Sequence, residues 1–251
     1  MTVSRVSICV FVFYGHGKRS RTTIFPMPIS VIIPALNEER YLEDTLKSIG
    51  QGVEIIIVDG GSSDATIEIA MRFTEKIILS EKGRGAQMDR GAREASASGG
   101  DGLLLFLHAD TRLPHGWKGH VEDILKDAKV IGGGFKLKID SRKFSLRLIE
   151  VIANLRSKHL GLIYGDQAIF VRKNDFLAVG GFFGLPLMED VDLVKRLKKR
   201  GRMVLLNVHI STSSRKWDKS GFLRTTLRNW IFLILYYVGV SPERLYRRYY
   251  A

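Results

Sequence analysis

The chain has 251 residues, 45% hydrophobic and 26% charged, which excludes a disordered tail, a collagen-like repeat and a coiled coil. Its single cysteine, Cys9, excludes an internal disulfide and a cysteine-based metal site, and no apolar run reaches the ~18–20 residues that span a bilayer. The net charge of +13 is uneven: residues 1–28 carry four basic residues and no acid, residues 195–251 carry 14 basic and 2 acidic, and the body between them carries 21 basic and 24 acidic. Basic charge beside an apolar C-terminus on a mildly acidic body points to a membrane-facing edge rather than a nucleic-acid surface.

Residues 1–28 stand apart from the rest of the chain. The apolar run Val6–Tyr14 is short and lacks a small-residue cleavage site, so it is a poor signal peptide. Met1–Pro26 is expected to be a mis-called start, with Met27 as the true one, or a dispensable extension; the alternative is a weak membrane-surface anchor. From Ile29 the chain alternates. Ile29–Pro34, Glu54–Asp59, Lys76–Ser80 and Leu103–His108 are short β-branched or apolar runs that predict buried parallel strands. Glu38–Ile49, Asp64–Phe73 and Gly85–Ala97 predict the helices between them. The order is that of a doubly wound, mostly parallel α/β sheet with helices on both faces. Such sheets bind ligands beyond the carboxyl ends of their strands. Those ends are polar here: Pro34-Ala35-Leu36-Asn37-Glu38, Asp59-Gly60-Gly61-Ser62-Ser63-Asp64, Gly83-Arg84-Gly85-Ala86-Gln87 and His108-Ala109-Asp110.

Beyond them the pattern predicts helices over His115–Lys126, Phe144–Leu155 and Glu189–Arg200, and strands over Gly132–Ile139, Ala168–Arg172 and Met203–Asn207. Residues 29–220 are taken as one domain and 221–251 as a C-terminal amphipathic helical segment. Its Trp230–Val240 core is too short to span a membrane. That helix packs on the core or a partner subunit, or lies in a membrane interface with its flanking arginines at headgroup level.

Four pieces in register, ISVIIPALNEERYLEDTLKSI, IIIVDGGSSDAT, LHADTRLP and MEDVDLVKRLKKRG, resemble family 2 glycosyltransferases of the GT-A fold. GRGAQMDRGA, YGDQAIFVR and STSSRKW resemble a bacterial subgroup with undefined acceptors. The resemblance covers residues 29–200 and implies an inverting hexosyltransferase-type enzyme, a nucleoside diphosphate sugar donor, and Mg2+ or Mn2+. It names no acceptor, although a lipid or isoprenoid fits the apolar C-terminus and a place at the cytoplasmic membrane face.

By motif position, Pro34, Ala35, Glu38 and Asp59 contact the nucleotide. Asn37 and Asp64 are either further contacts or helix caps; Asp59 caps nothing obvious, which favours a ligand role. Arg84 and Gln87, between glycines, suit a phosphate. The family's Asp-X-Asp motif reads His108-Ala109-Asp110 here, so the resemblance makes Asp110 the metal ligand and His108, which replaces a carboxylate, a ribose or sugar contact. Asp166 and Gln167 are candidates for sugar hydroxyls, with a turn as the alternative. Arg215, meeting the diphosphate, and Trp217, stacking on substrate, fall in a segment read as a flexible flap or a plain basic loop. Asp190 is the acceptor base and Glu189 its support in the resemblance. From the residues alone both are first-turn acids favoured by the helix dipole. A catalytically inactive GT-A nucleotide-binding or membrane-associated scaffold is the alternative to an enzyme. A dinucleotide oxidoreductase is excluded because no G-x-G-x-x-G follows the first strand.

Overall fold

The computed structural model describes residues 27–96 and 102–250, so the expectations for Met1–Pro26 fall outside the described residues. The first four runs are strands β1 (Ile29–Ala35), β2 (Glu54–Asp59), β3 (Ile77–Leu79) and β4 (Leu103–Phe106). Helices α1 (Leu42–Ile49), α2 (Thr66–Met71) and α3 (Arg84–Glu94) connect them. Every residue of β1 is buried, because its two faces serve two cores. Val31, Ile33 and Ala35 point into one core with Leu103 and Leu105 of β4. Ile32 points into the other with Leu104 and Phe106. A period of two with apolar residues on both faces is what a helix-covered sheet requires. α3 approaches this sheet closely: a Cβ at Gly91 would lie 2.5 Å from Ile32 Cγ2 and 2.9 Å from Val58 Cγ2.

The chain continues through β5 (Thr111–Arg112), α4 (Trp117–Ile124), β6 (Val130–Asp140), α5 (Phe144–Leu160), a 3-10 turn at Gly165–Gln167, β7 (Ile169–Arg172) and α6 (Lys173–Ala178). It ends with α7 (Glu189–Leu197), β8 (Arg202–Ser213), α8 (Arg215–Ser220), α9 (Phe222–Tyr237) and α10 (Pro242–Tyr250). The eight-stranded sheet runs β3-β2-β1-β4-β7-β6-β8-β5. β1 pairs parallel with β2 and β4, β2 with β3, and β6 with β8; β7 is antiparallel to β4 and β6, and β5 to β8. The sheet is thus mixed, with parallel ladders in the majority.

Several boundaries differ from the sequence reading, each for a local reason. α1 starts at Leu42 rather than Glu38 because residues 37–39 are stitched by hydrogen bonds to residues 62–66. The strand expected over Met203–Asn207 extends to Ser213 along β6, through an irregularity in register between Phe135 and Lys136. The segment expected to be a flap is helical from Arg215. Trp217 there is buried in a small core with Leu137, Ile139, Leu146 and Ala153. β5 and α6 were not foreseen.

Candidate active site

The ends of β1 and β4 and the first turns of α3, α7 and α8 surround two adjoining cavities. The smaller, ≈ 350 Å³, is lined by Pro34, Ala35, Glu38, Gln87, Asp110 and Arg215, among others. The larger, ≈ 510 Å³, is lined by Glu189 and Asp190 and walled by apolar residues of α5 and α9. Arg84, His108, Asp166, Lys216, Trp217 and Asn229 line both, so the two are parts of one site.

At the smaller cavity the chemistry is ionic. The Arg215 guanidinium donates from Nη1 and Nη2 to the two Glu38 carboxylate oxygens, at 2.7 Å each, and its Nε lies 2.8 Å from Asp110 Oδ2. Burial pushes the Glu38 carboxyl above its ordinary value, and the Arg215 hydrogen bonds oppose that shift. At the strand tip beside them, burial lowers the His108 imidazole to about 3, and the charges of Arg84, Lys216 and Arg215 act in the same direction. His108 is therefore a neutral ring at physiological pH.

The larger cavity holds the acids of α7. Met188, just before the helix, has φ 66°, a backbone conformation costly for a non-glycine residue. It turns the chain into α7, whose first two residues, Glu189 and Asp190, line the cavity. Glu189 is 4% exposed and pairs with Arg84 Nη2 at 2.8 Å. Burial raises its pKa, and Arg84 opposes the rise. Asp190 Oδ2 accepts from the Gly165 N–H at 2.7 Å and Oδ1 from the Val191 N–H at 2.8 Å. A Cβ at Gly165 would lie 2.9 Å from His108 Nε2 and 3.3 Å from Asp190 Oδ2, so this glycine brings the strand-end imidazole and the helix-start carboxylate together. Asp166 Oδ1, at the junction of the cavities, is buried without a hydrogen-bond partner. Burial raises its pKa.

Comparison with known proteins identifies the family and the fold that carry this geometry. A model of glycosyl transferase family 2 matches residues 30–185. The chain belongs to that family. A dolichol-phosphate mannosyltransferase from Pyrococcus furiosus is 35% identical over 127 residues, 46% of this chain and 33% of that protein. The chain therefore spans about a third of that relative's length. The mannosyltransferase PcManGT from Pyrobaculum calidifontis, solved with GDP-Man and Mn2+, superposes with a TM-score of 0.62 at 17% identity, covering 87% of this chain and 67% of that one. Glucosyl-3-phosphoglycerate synthase from Mycobacterium tuberculosis, solved with Mg2+ and UDP, gives 0.56 at 19% identity, covering 82% and 78%. These likenesses show the GT-A fold.

Around the two cavities, the expected residues divide. Pro34, Ala35, Glu38, Arg84, Gln87, His108, Asp110, Asp166, Arg215 and Trp217 line the smaller cavity, and Glu189 and Asp190 the larger. Asn37, Asp59, Asp64 and Gln167 line neither. Asp59, expected to cap nothing, accepts from the N–H groups of Gly61 and Ser62 at 2.8 Å and from the Ser62 hydroxyl, closing the turn after β2. Asn37 Oδ1 accepts from the Ser63 N–H at 2.9 Å, and Asp64 accepts from the N–H groups of Thr66 and Glu39. Gln167 is fully buried; its Oε1 accepts from the Ser157 hydroxyl at 2.6 Å, and its Nε2 donates to the Phe135 carbonyl at 3.3 Å, tying α5 to β6. Gln87 reaches the cavity wall, yet its Nε2 donates to the carbonyls of Ala35 and Val58, clamping β1 to β2. Lys216 and Asn229 were not foreseen. Lys216 lies within a basic motif in which only Arg215 and Trp217 have expected roles, whereas Asn229 carries no local signal.

The donor set bears on a metal. Among the described residues no three His, Cys, Asp or Glu side chains come together to hold an ion by themselves. Asp110 supplies one hard carboxylate and His108 a neutral nitrogen at the cavity floor. That fits a cation held jointly by one or two protein groups and substrate phosphate oxygens, the usual mode for Mg2+.

Proposed function

We propose that the chain is an inverting, divalent-metal-dependent glycosyltransferase acting on a nucleoside diphosphate sugar. The observation that carries this is the shared wall of the two cavities. A site for a diphosphate, with Arg84, Lys216 and Arg215 around it, opens directly onto the carboxylate of Asp190.

In this reading the donor nucleotide lies over Pro34, Ala35 and Glu38, and its diphosphate faces Asp110 and the cations. Arg215 gives up a carboxylate for a phosphate oxygen, a charge-assisted exchange of like for like. Asp110, with His108 beside it, would hold Mg2+ or Mn2+, which neutralises charge developing on the diphosphate as the sugar departs. Asp190 accepts the proton of the acceptor hydroxyl while that oxygen forms a bond to the anomeric carbon. The bond from that carbon to the diphosphate breaks with its electron pair going to the diphosphate. Attack from the face opposite the leaving group inverts the anomeric centre. The Gly165 N–H orients the Asp190 carboxylate, and the unpartnered Asp166 oxygen awaits a sugar hydroxyl. Glu189 positions Arg84.

The larger cavity favours an acceptor with an aliphatic portion, a lipid or isoprenoid alcohol or phosphate. Ile149, Ile152, Leu185, Leu187, Trp230 and Leu233 form its outer wall. No helix among the described residues is long and apolar enough to cross a membrane, so such an acceptor would be met at a membrane surface. The cytoplasmic face, where nucleotide sugars are made, is the expected place.

Calorimetry with UDP- and GDP-linked sugars, with and without Mn2+, followed by a donor-hydrolysis screen, tests the assignment. Metal-dependent binding with slow hydrolysis is expected. Absence of nucleotide binding would leave the non-catalytic scaffold, which the closed Arg215–Asp110 pair also accommodates.

A further inference from the structure

Two helices present apolar residues outward. On α5 the exposed residues Phe144, Leu148, Val151, Ile152 and Leu155 recur at helical spacing and form one stripe, opposite the buried Leu146, Ala153 and Ser157. On α9 the exposed residues Leu227, Trp230, Ile231, Ile234 and Tyr237, continued by Val238 at its C-terminal cap, form a second. Helices of a water-soluble surface turn polar faces outward; these two do the reverse, with Phe144 86% and Val238 71% exposed. α5 packs against α9. Ile152 and Trp230, one from each stripe, also line the larger cavity, so its mouth opens where the stripes meet.

The charge beside them is positive. α9 has no acidic residue, and the only acid on α5, Glu150, is held by Arg147 at 2.6 Å. α10, joined to α9 by the Phe232–Tyr249 ring contact at 5.5 Å, exposes Arg244, Arg247 and Arg248. No acid pairs with these three arginines among the described residues. A second copy on the same face would bring a further set of unpaired arginines to the interface. An anionic bilayer instead neutralises them while its acyl region takes the apolar side chains.

We infer that the paired outer faces of α5 and α9, flanked by the arginines of α10, dock on an anionic membrane surface, with the larger cavity opening into the lipid. The extent of this surface goes beyond the C-terminal segment: α5, in the middle of the chain, supplies half of it. The surface stands independently of the proposed reaction; only delivery of a lipid acceptor through the cavity mouth rests on that reading.

The test is co-sedimentation of the full chain with vesicles of phosphatidylcholine alone or mixed with phosphatidylglycerol. Strong binding to the mixed vesicles and weak binding to phosphatidylcholine are expected. Leu148→Glu with Ile234→Glu, both outside the cavities, should weaken binding roughly tenfold or more. Arg247→Glu with Arg248→Glu should abolish the preference for anionic lipid. Donor hydrolysis in lipid-free buffer should match the unsubstituted protein in both variants, which controls for folding. Failure to sediment with the mixed vesicles would overturn the inference. So would a dimer in light scattering that Leu148→Glu with Ile234→Glu turns into monomer, because a second copy would then cover the face. Absent hydrolysis in every form would overturn the transferase reading while sedimentation still decides the surface.

Discussion

The Arg215 guanidinium stands between Glu38 and Asp110, bidentate to the first at 2.7 Å and 2.8 Å from the second. It ties the start of α8 to the ends of β1 and β4, elements far apart in the chain. It also satisfies two carboxylates that would otherwise repel each other in a half-buried site, and it sets the terms on which a diphosphate can enter.

Replacing Arg215 with Met should remove a charged contact worth about 1.5–3 kcal/mol to a bound anion. The donor KM should rise roughly tenfold or more, measured by hydrolysis kinetics over a donor series. An unchanged KM would place the diphosphate elsewhere.

Asp190→Asn keeps the shape of the side chain and one acceptor oxygen, which can serve the Gly165 N–H at the expense of the bond from the Val191 N–H. The turnover number should fall by about 10²–10⁴, the usual contribution of a general base. Donor affinity by calorimetry and the melting temperature should stay near those of the unsubstituted protein.

Gly165→Ala puts a methyl group against His108 and Asp190. Misplacing a reacting group by about 1 Å can cost roughly a hundredfold in rate. The loss should fall on turnover and spare nucleotide affinity, a split that steady-state kinetics beside calorimetry resolves.

His108 is held neutral, with its pKa lowered to about 3 by burial and by nearby cations. Between that value and its ordinary one near 6.5, the unfolded chain binds the proton and the folded chain does not. Stability is therefore present above about pH 6.5 and is lost as pH falls below it. His108→Asn should flatten the decline in melting temperature between pH 6.5 and pH 4, measured by calorimetry. A decline as steep as that of the unsubstituted protein would mean that His108 already carries its proton in the fold.

Gln167→Leu should cost about 1–3 kcal/mol of stability, because it removes a buried acceptor shared by the Ser157 hydroxyl, the Arg156 guanidinium and the Tyr164 N–H, together with the donor to the Phe135 carbonyl. Donor KM should not move. A rise in KM at unchanged stability would return Gln167 to the substrate site.

The strands β1, β2 and β4 are legible in the sequence because each is an apolar run with both faces buried, and nothing in a parallel sheet core competes with that pattern. Only the first half of β8 is legible. Asn207, His209, Ser211 and Ser213 interrupt its apolar run, and the strand is held there by pairing with β6. β5, two residues long, carries no periodicity at all.

The one-dimensional pattern was enough to establish a layered α/β chain of family 2, the polar tips of its strands and the acidic start of α7, since each depends on neighbours a few residues away. Which of those polar residues line a cavity, and which are held by neighbouring segments, was decided in three dimensions. Asp166 and Gln167 are adjacent and alike in their sequence signal, yet one lines the cavities and keeps a buried, unpartnered oxygen while the other ties α5 to β6. Asp59 closes β2 and Asp110 lies in the turn after β4, yet one closes its own turn and the other meets Arg215 from 105 residues away. A polar group takes whichever partner the fold brings within about 3 Å, and that choice depends on packing between segments that no local spacing records.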